Sequence, residues 1–348
     1  MSERPCFAFT LGDVAGVGPE VAVKAALDPA VQEACRPMLV GPTAAVDMAA
    51  ALVNQDIRVH RLVDGSYTPH EFGPLDVYAH AVPITGTIRT AERCASAGQA
   101  AAVSLEWAID SALGGQVDAV VTAPLNKESL RLAGIKEAGH TEILARKCGV
   151  SDFAMMLYLP AGDAVVGPNG LAVSHVTLHE PVARVPSLLS AERVESTVRL
   201  MDDFLKRLGQ AKPRIGVAAL NPHAGENGLF GDEESQVIEP AVGRCRADGV
   251  LCEGPLPVDT LFRRAVAGHE FDGIVCMYHD QGHIPMKLIA FDRAVNVTLG
   301  LPIVRTSPSH GTAYDIAWTG QADATGMISA ALTARRLLTA RRASTQRS

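Results

Sequence analysis

Short apolar runs alternate with longer stretches of helical periodicity along most of the chain. Runs rich in Val, Ile, Leu and Ala predict strands at Phe7–Leu11, Pro37–Val40, 118–124, 171–181, 214–226 and 273–282. Strands that are separated by helices are typical of parallel βαβ units. The pattern therefore predicts an α/β fold.

The clearest helical pattern lies in residues 96–113. The apolar side chains there recur three and four residues apart and share one face: Leu105, Ala108, Ile109, Ala112 and Leu113. Two glycines follow directly and mark the end of the helix. Residues 161–170 interrupt the alternation and predict a hairpin or a loop.

Three segments rich in glycine and small residues follow predicted strands. In GDVAGVGPE (12–20) the glycine spacing is not the GxGxxG dinucleotide fingerprint, and a tight turn with Pro19 at a helix start explains it. NPHAGENGLFGDEE (221–234) is rich in turn residues, and its acidic end suits a helix N-terminus. SHGTAYDIA (309–317) predicts the start of a helix. The first backbone N–H groups of that helix either bind a phosphate or have no role beyond starting the helix.

The composition narrows the class of protein. A length of 348 residues favours two domains, and 47% hydrophobic with 20% charged residues is typical of a soluble globular protein. A net charge of −7 argues against nucleic acid as a partner. The basic run ARRLLTARRASTQR is interpreted as a last helix that frays into a charged tail, rather than as a nucleic-acid or membrane patch.

Neither a membrane nor a secretory segment is expected. No apolar stretch approaches ~20 residues, and the first residues lack a secretory apolar region. The seven cysteines have no CxxC spacing and are interpreted as reduced thiols: Cys6, Cys35, Cys94, Cys148, Cys245, Cys252 and Cys276. Together these features predict a cytoplasmic protein.

Three histidines suggest a metal site. In MYHDQGHIPMK (277–287), Gly282 and Pro285 argue against a helix, so His279 is interpreted as the first loop residue after a strand. His179 and His223 also follow predicted strands, and ligands of parallel α/β sheets bind beyond the carboxyl ends of strands. Each alone suits a solvated loop histidine. Together, the three imidazoles suit Zn²⁺, Co²⁺, Ni²⁺ or Mn²⁺.

Other polar residues lie in segments predicted as turns. His140, Thr141, Lys287 and Arg305 are each uninformative alone, and together they suit an anionic group. His175 lies inside its apolar run and is interpreted as a satisfied strand residue. His283 is interpreted as structural as well.

With these residues in view, the chain resembles the 4-hydroxythreonine-4-phosphate dehydrogenase family of vitamin B6 biosynthesis. The similarity runs in order through LGDVAGVGPE, AGHTE, NPHAGENGLFGDEE, MYHDQG, VNVTLGLP and RTSPSHGTAYDIA. The resemblance implies an isocitrate/isopropylmalate dehydrogenase-like fold of two α/β domains with a cleft between them. Residues 1–125 and 285–348 would form the nucleotide-binding domain, and residues 126–284 the metal, substrate and dimerisation domain.

The resemblance also implies roles for individual residues. The metal ligands would be His179, His223 and His279, drawn from both subunits of a homodimer. The substrate would be bound by His140, Thr141, Lys287, Asn296 and Arg305. The cofactor, NAD or NADP, would be bound by His310, Gly311, Thr312, Ala313, Asp315 and Asp323, the last standing where the fold usually has Asn. Lys287, Asp259 and Asp280 are the candidates for catalysis; each aspartate would orient a histidine or cap a loop.

The implied activity is NAD-dependent oxidation of a 4-phosphorylated hydroxy acid, with a divalent metal (Zn, Co, Mg, Mn or Ni) and decarboxylation of the β-keto acid. HDQGHIPMKL looks closer to a family branch that acts on threonate and erythronate 4-phosphates, and VTLHE resembles relatives that oxidise dihydrodiol dicarboxylates. The retained GHT motif, Asn296 and Arg305 favour a phosphorylated substrate. A metal-dependent hydrolase and a catalytically idle binding protein are the rivals from other classes.

Overall fold

The structure is a computed structural model that describes residues 4–62, 74–83, 86–137, 139–162, 167 and 170–345, with side chains described up to 339. Its strands are β1 (Cys6–Thr10), β2 (Arg36–Gly41), β3 (Arg58–Leu62), β4 (Asp76–Ala81), β5 (Ala119–Thr122), β6 (Ala154–Leu159), β7 (Leu171–His175), β8 (Ile215–Ala218), β9 (Cys252–Leu256), β10 (Gly273–Cys276), β11 (Val295–Leu299) and β12 (Val304–Pro308).

The α-helices are α1 (Gly18–Leu27), α2 (Pro29–Ala34), α3 (Thr43–Val53), α4 (Ala95–Leu113), α5 (Lys127–Leu132), α6 (His140–Cys148), α7 (Val185–Leu188), α8 (Ala191–Arg207), α9 (Glu239–Ala247), α10 (Val258–Val266), α11 (His279–Ala290) and α12 (Thr325–Thr345). The expectation of a mixed α/β protein is confirmed. Each predicted strand overlaps an observed one. β1 and β2 begin one residue earlier than predicted, and β7, β8 and β10 end earlier than the apolar runs that predicted them.

The chain forms two compact units, Met1–Val150 with Leu301–Thr339, and Ser151–Gly300. The divisions lie near 150 and 300, later in the sequence than the expected divisions near 125 and 285. The functional labels expected for the two parts stay predictions.

In the first unit the strand order is β3-β4-β2-β1-β5-β12, and every pair of neighbours is parallel. Helix α4 was predicted almost to the residue, and it packs its alanine-rich face on the sheet. GDVAGVGPE forms the predicted turn and helix start, with Pro19 in the first turn of α1. The carboxyl ends of β1, β5 and β12 therefore lie side by side, which brings their following turns together.

In the second unit the strand order is β11-β6-β7-β10-β8-β9. Neighbours from β7 to β9 are parallel, whereas β6 is antiparallel to both β7 and β11. The antiparallel strand departs from the simple βαβ alternation. The connection from β6 to β7 is the segment 161–170, predicted as a hairpin or loop, and most of it lies outside the described residues.

Helix α11 contradicts the expectation that residues 279–287 form a loop. The helix begins at His279 and contains both Gly282 and Pro285. An internal proline costs roughly 3 kcal/mol or more, but the side chain of Gln281 anchors the helix by accepting from Met277 N (2.6 Å) and donating to Ala219 O (2.7 Å). Tertiary contacts therefore override the local helix-breaking signal.

Gly282 faces the sheet and does not interrupt the helix. A Cβ at this position would lie 2.5 Å from His175 Nε2 and 2.7 Å from Val173 Cγ1. The missing side chain lets α11 lie directly against β7.

The segment 309–317 contradicts a second expectation. No helix begins there; residues 314–318 form turns, with left-handed backbone at Ala313 (φ 39°) and Trp318 (φ 63°), and α12 starts only at Thr325. The last helix was expected, and it contains the basic run as far as residue 345. Within the part of the chain that the structure describes, no helix is long and apolar enough to cross a membrane. The cytoplasmic location stays a prediction.

We expect Gly282→Ala to destabilise the protein by roughly 1–3 kcal/mol, because the added methyl overpacks the contact between α11 and β7. The measurement is the free energy of unfolding from urea titration. Gly243→Ala is the matched control: Gly243 lies in α9, and nothing lies within 4 Å of an added Cβ. That variant should be unchanged or more stable by up to ~1 kcal/mol. Equal losses in both would contradict the packing argument.

Candidate active site

Three histidines of the second unit contact one another where α11 meets β7. His279 and His283 are one helical turn apart, and their rings stack with centroids 3.7 Å apart and planes at 11°. His283 Nδ1 lies 3.1 Å from the buried His175 Nε2, so one of these nitrogens donates to the other. This contact satisfies Nε2, one of the two ring nitrogens of His175, which was interpreted as a satisfied strand residue.

Burial keeps the inner two histidines neutral. It lowers the pKa of His175 to about 3, with a further contribution from the nearby His283. It lowers the pKa of His283 to about 4, and His279 and Lys287 add to the effect. His175 and His283 are therefore neutral at pH 7, and they support the ring of His279 at the start of α11.

His179 and His279, two of the three predicted metal ligands, lie close together. Their ring centroids are 5.5 Å apart, and His279 Nδ1 contacts Asp280 Oδ1 at 2.7 Å. His179 is exposed, four residues beyond the end of β7. Among the described residues of the single chain, no three His, Cys, Asp or Glu side chains are grouped to hold a metal ion. His223 therefore does not complete a trio with this pair within one chain.

His223 lies on an unusual backbone. The five residues His223–Asn227 all have left-handed φ values, from 44° to 78°. L-residues adopt this region at a cost of roughly 1–2 kcal/mol each, so the segment needs external support. Backbone strain of this kind is often found at functional sites.

Glu234 supplies much of that support. Its buried carboxylate accepts from Leu220 N (2.9 Å), Asn221 N (2.7 Å) and Asn221 Nδ2 (3.0 Å). The acidic end of this segment does lead into a helix, as expected, with Glu233 as the N-cap of residues 234–238. Sequence reasoning missed Glu234, and its only signal was an acidic residue after a turn-rich run.

An anion-binding pocket is suggested in the first unit by Arg305, His140 and Thr141. Arg305 is buried on β12, and its Nη2 donates to Thr122 Oγ1 at 2.6 Å. Burial lowers the pKa of Arg305 to about 9, so the guanidinium still carries its charge at neutral pH. His140 and Thr141 begin helix α6, whose first N–H groups have no helical partner.

Arg305 also affects its neighbour electrostatically. Burial, and then the charge of Arg305, lowers the pKa of His140 well below its usual range, against a hydrogen bond to Ala123 that raises it. His140 is therefore neutral at pH 7. The structure thus brings together Arg305 and His140, predicted from separate motifs, and adds Thr122 and Ala123 from the end of β5.

The other two expected substrate residues belong to the second unit. Lys287 lies one helical turn beyond His283, is exposed, and has its Nζ 5.6 Å from the centre of the Phe291 ring. Asn296 lies on β11; its Oδ1 is buried, and no described residue donates to it. A buried acceptor without a protein donor is suited to a ligand.

The two candidate aspartates differ. Asp280 contacts His279, as described above, which fits the expected orienting role. Asp259 is exposed in the first turn of α10, where a carboxylate stabilises the helix end. Its proposed contact with a histidine stays a prediction.

The expected cofactor segment, residues 310–323, is irregular backbone in the first unit. His310 Nδ1 contacts Gly311 O at 2.9 Å, while its buried Nε2 has no hydrogen-bond partner among the described residues. Asp323 Oδ1 accepts from Thr325 N (2.8 Å) and Oγ1 (2.7 Å) at the start of α12, and these bonds lower the pKa of Asp323. The unused His310 nitrogen is available to a ligand.

Comparison with known proteins identifies the family. The family model described as "Pyridoxal phosphate biosynthetic protein PdxA" matches residues 33–334. The 4-hydroxythreonine-4-phosphate dehydrogenase of Desulfosudis oleivorans is 43% identical over 336 residues, covering 95% of each chain. The chain belongs to the PdxA family. The D-threonate 4-phosphate dehydrogenase of Salmonella typhimurium is also similar, 43% identical over 330 residues, covering 93% of this chain and 96% of that protein.

Solved PdxA structures share the fold. The 4-hydroxythreonine-4-phosphate dehydrogenase of Klebsiella pneumoniae has a TM-score of 0.83 at 40% identity, covering 96% of this chain and 100% of that one. A terephthalate 1,2-cis-dihydrodiol dehydrogenase of Burkholderia xenovorans is less similar, with a TM-score of 0.64 at 30% identity over 97% and 98% of the two chains. The expectations of this family and of an oxidoreductase are confirmed.

In this PdxA protein, the GDVAGVGPE turn holds the segment predicted to bind the cofactor. Tyr314 donates to Asp13 Oδ2 (2.8 Å), and Trp318 Nε1 donates to Val14 O (3.1 Å). A Cβ on Gly16 would lie 2.6 Å from Thr312 O, so glycine permits the close approach. The first motif therefore acts as a support, a role that its spacing alone does not reveal.

Glu20 and Lys24 on α1 complete this support. The buried Glu20 carboxylate accepts from Ala322 N (2.9 Å) and Gly320 N (3.2 Å). Lys24 Nζ donates to the carbonyl oxygens of the same two residues (2.7 and 2.8 Å) and to Glu20 (2.7 Å). Sequence reasoning missed this pair, because an i,i+4 Glu–Lys pair usually lies on an exposed helix face.

We expect Glu20→Gln to loosen residues 319–324, because an amide replaces one of the two acceptor oxygens with a donor and leaves a backbone N–H unpaired. Hydrogen exchange of the Gly320 and Ala322 amides should become roughly 10-fold faster or more, given the cost of ~1–3 kcal/mol for an unsatisfied buried donor. Glu33→Gln is the control, since Glu33 is exposed on α2 of the same unit. Unchanged exchange in the Glu20 variant would contradict the supporting role.

Proposed function

We propose that this PdxA protein oxidises a 4-phosphorylated hydroxy acid, with 4-hydroxy-L-threonine 4-phosphate as the first candidate. The alternative substrate is D-threonate or D-erythronate 4-phosphate. The Salmonella D-threonate 4-phosphate dehydrogenase is 43% identical to this chain, the same identity as the Desulfosudis enzyme, so sequence identity supports both substrates equally. A dihydrodiol dicarboxylate is a weaker candidate, since the relative of that kind is less similar. The observation that carries the phosphate assignment is the buried, charged Arg305 beside His140.

Arg305 and the start of α6 supply the chemistry for a phosphate. A guanidinium donates in a fork that matches two phosphate oxygens, and the first backbone N–H groups of a helix favour an anion. Neutral His140 and Thr141 offer further hydrogen bonds without adding charge. Lys287 and Asn296 would bind the other polar groups of the substrate.

NAD or NADP is proposed as the oxidant, bound by residues 310–323. The irregular backbone, the exposed Gly311 and the unused His310 Nε2 support this assignment, and Asp323 would sit near the cofactor as well as capping α12. The lack of a GxGxxG fingerprint agrees with a fold of the isocitrate/isopropylmalate dehydrogenase type, with two α/β domains. When bound, the nicotinamide would supply the hydride acceptor for the oxidation, and residues 310–323 would hold the cofactor.

A divalent cation is proposed at His179, His279 and His223. The donor chemistry fits, because imidazoles bind Zn²⁺, Co²⁺ and Ni²⁺. Asp280 Oδ1 contacts Nδ1 of His279 and so orients the imidazole ring. A single chain groups only two of the three ligands, so the third would come from a second copy. Such a cation would supply a Lewis acid for the oxidation, and the three histidines would hold it.

The surface around these histidines supports a homodimer. Each of the three histidine-bearing segments exposes large apolar side chains: Val182 (70%), Leu229 (72%), Phe230 (47%), Ile284 (55%), Leu288 (82%) and Phe291 (51%). Exposed apolar side chains concentrated around polar ligands are typical of an interface. We propose that a second copy covers this face and contributes His223 to the site.

The remaining residues position the substrate. Oxidation of a secondary alcohol β to a carboxylate gives a β-keto acid, which loses CO₂. Arg305 and His140 would hold the phosphate and so fix the distance from that end of the substrate to the alcohol. Lys287 would hold the carboxylate or a substrate hydroxyl, and Asp280 keeps His279 in one orientation.

The substrate assignment is tested by following NADH absorbance with a panel of the three 4-phosphates and their dephosphorylated forms, with and without a chelator. We expect NAD- and metal-dependent turnover of a phosphorylated member. Metal-dependent hydrolysis without NAD would support the hydrolase instead. Binding without turnover of any member would contradict the proposal.

Arg305→Lys keeps the charge but removes the fork. We expect KM for the phosphorylated substrate to rise roughly 10- to 100-fold, the equivalent of a lost charge-assisted hydrogen bond, with little change for the dephosphorylated form. Arg131→Lys is the control, because Arg131 is exposed on α5 of the same unit and is not among the proposed substrate residues. Equal effects on both substrate forms would argue that Arg305 does not contact phosphate.

The shared site is tested by mixing two inactive variants, His223→Ala and His279→Ala, after reversible dissociation. A mixed dimer would contain one site with all three histidines, so metal binding, seen as Co²⁺ absorbance, and turnover should both return. Adding Leu288→Glu to both partners should prevent dimer formation and recovery, whereas Leu113→Glu, exposed in the other unit, should not. No recovery in stable mixed dimers would contradict the shared site.

A further inference from the structure

Two cysteines of the second unit lie close together, away from the histidines. Cys245 is in the last turn of α9, and Cys252 is the first residue of β9. The turn between them is held by Val250, whose N–H donates to Cys245 O (3.0 Å) and whose carbonyl accepts from Cys252 N (3.0 Å). Both thiols are free and buried.

The side chain of Cys252 lies against the face of α9 that carries Cys245. Cys252 Sγ donates to Val242 O at 3.7 Å, and Val242 lies one helical turn before Cys245 on the same face of α9. Cys245 Sγ donates to Glu195 O at 3.8 Å, so each thiol bonds a backbone carbonyl of its surroundings. A disulfide between them would join neighbouring elements across a short loop.

Cys252 also borders open space. It lines a cavity of about 450 Å³ together with Arg214, Arg246, Leu251 and Phe271, and Cys245 is not part of that lining. The two arginines make the cavity attractive to anions.

Two carboxylates, Glu253 and Glu270, line the same cavity. Both are ion-paired with Arg264, at 3.2 and 2.8 Å. Arg214, Arg246 and Arg264 together outnumber these two carboxylates, so the charged side chains around the cavity leave a net positive charge for an incoming anion.

The two thiols differ in acidity. The neighbouring Cys245 thiol and the charge of Arg246 lower the pKa of Cys252, although burial opposes them. The pKa of Cys245 is raised by the neighbouring Cys252 thiol and by burial. Because Cys252 borders the cavity and Cys245 does not, Cys252 is the thiol that an incoming disulfide reaches first, and Cys245 is the resolving thiol.

We propose that Cys245 and Cys252 form a reversible dithiol–disulfide site that reacts with small anionic disulfides entering through this cavity. The Cys252 thiolate attacks one sulfur of glutathione disulfide, so that a mixed disulfide forms and one glutathione thiolate leaves. Cys245 then gives up its proton and attacks Cys252 Sγ, and the second glutathione leaves. The protein loses two electrons and two protons, and glutathione disulfide is reduced to two glutathione molecules.

Other buried cysteines make an internal comparison. Cys6 and Cys35 lie near each other in the first unit, and burial raises the pKa of Cys6 to about 11 and that of Cys35 still further. Neither of them lines the cavity beside Cys252. Because Cys6 and Cys35 have neither an acidic thiol nor an entry route, we expect this pair to stay reduced.

The test exposes the folded full-length protein to glutathione disulfide and maps thiols by mass spectrometry. We expect a Cys245–Cys252 disulfide, while Cys6 and Cys35 stay reduced. Cystamine, a cationic disulfide, should react at least several-fold more slowly, because Arg214 and Arg246 repel it. The disulfide should disappear with excess dithiothreitol.

Single variants test the order of the steps. Cys245→Ser should accumulate the Cys252–glutathione mixed disulfide, and Cys252→Ser should leave Cys245 unmodified. Circular dichroism checks that both variants are folded, and the wild-type mapping decides the question without them. Cys245 and Cys252 that both stay reduced at glutathione disulfide levels that fully modify the urea-unfolded protein would overturn the proposal.

Discussion

The close packing of helix α11 against strand β7 is the constraint on which the histidine cluster depends. Gly282 has no side chain to collide with His175 and Val173, so the helix lies directly against the strand. The short distance lets His283 bond His175 and stack on His279. The ring of His279 is therefore held by packing that lies beneath it, and a larger residue at 282 would move all of these contacts together.

In each of the two units, a buried carboxylate accepts hydrogen bonds from the backbone N–H groups of an irregular segment. The His223 segment and the 310–323 segment are irregular, so their backbone N–H groups cannot all be satisfied by a helix or a sheet. Glu234 accepts from two N–H groups of the first segment's entry, and Glu20 accepts from two N–H groups near the end of the second. Candidate ligands thus lie on irregular backbone that rigid elements support.

Much of the architecture was predictable because its signals are local. Helix α4 has strong helical periodicity and a glycine stop, and the turn at GDVAGVGPE has the proline that starts α1. The predictions failed at α11 and at 309–317, where local signals oppose the tertiary contacts. Pro285 is tolerated because Gln281 anchors the helix, and 309–317 is held as turns by contacts with Asp13 and Val14.

The sequence by itself determined the α/β class, the family through an ordered set of motifs, and the residue types suited to a metal and an anion. Tertiary structure alone decided which of them meet: Arg305 with His140, and His179 with His279, while His223 stays apart in a single chain. The reason is physical. Periodicity and turn residues report interactions within a few positions, whereas a site is built from contacts between residues far apart in the chain, whose distances depend on packing that no local pattern records.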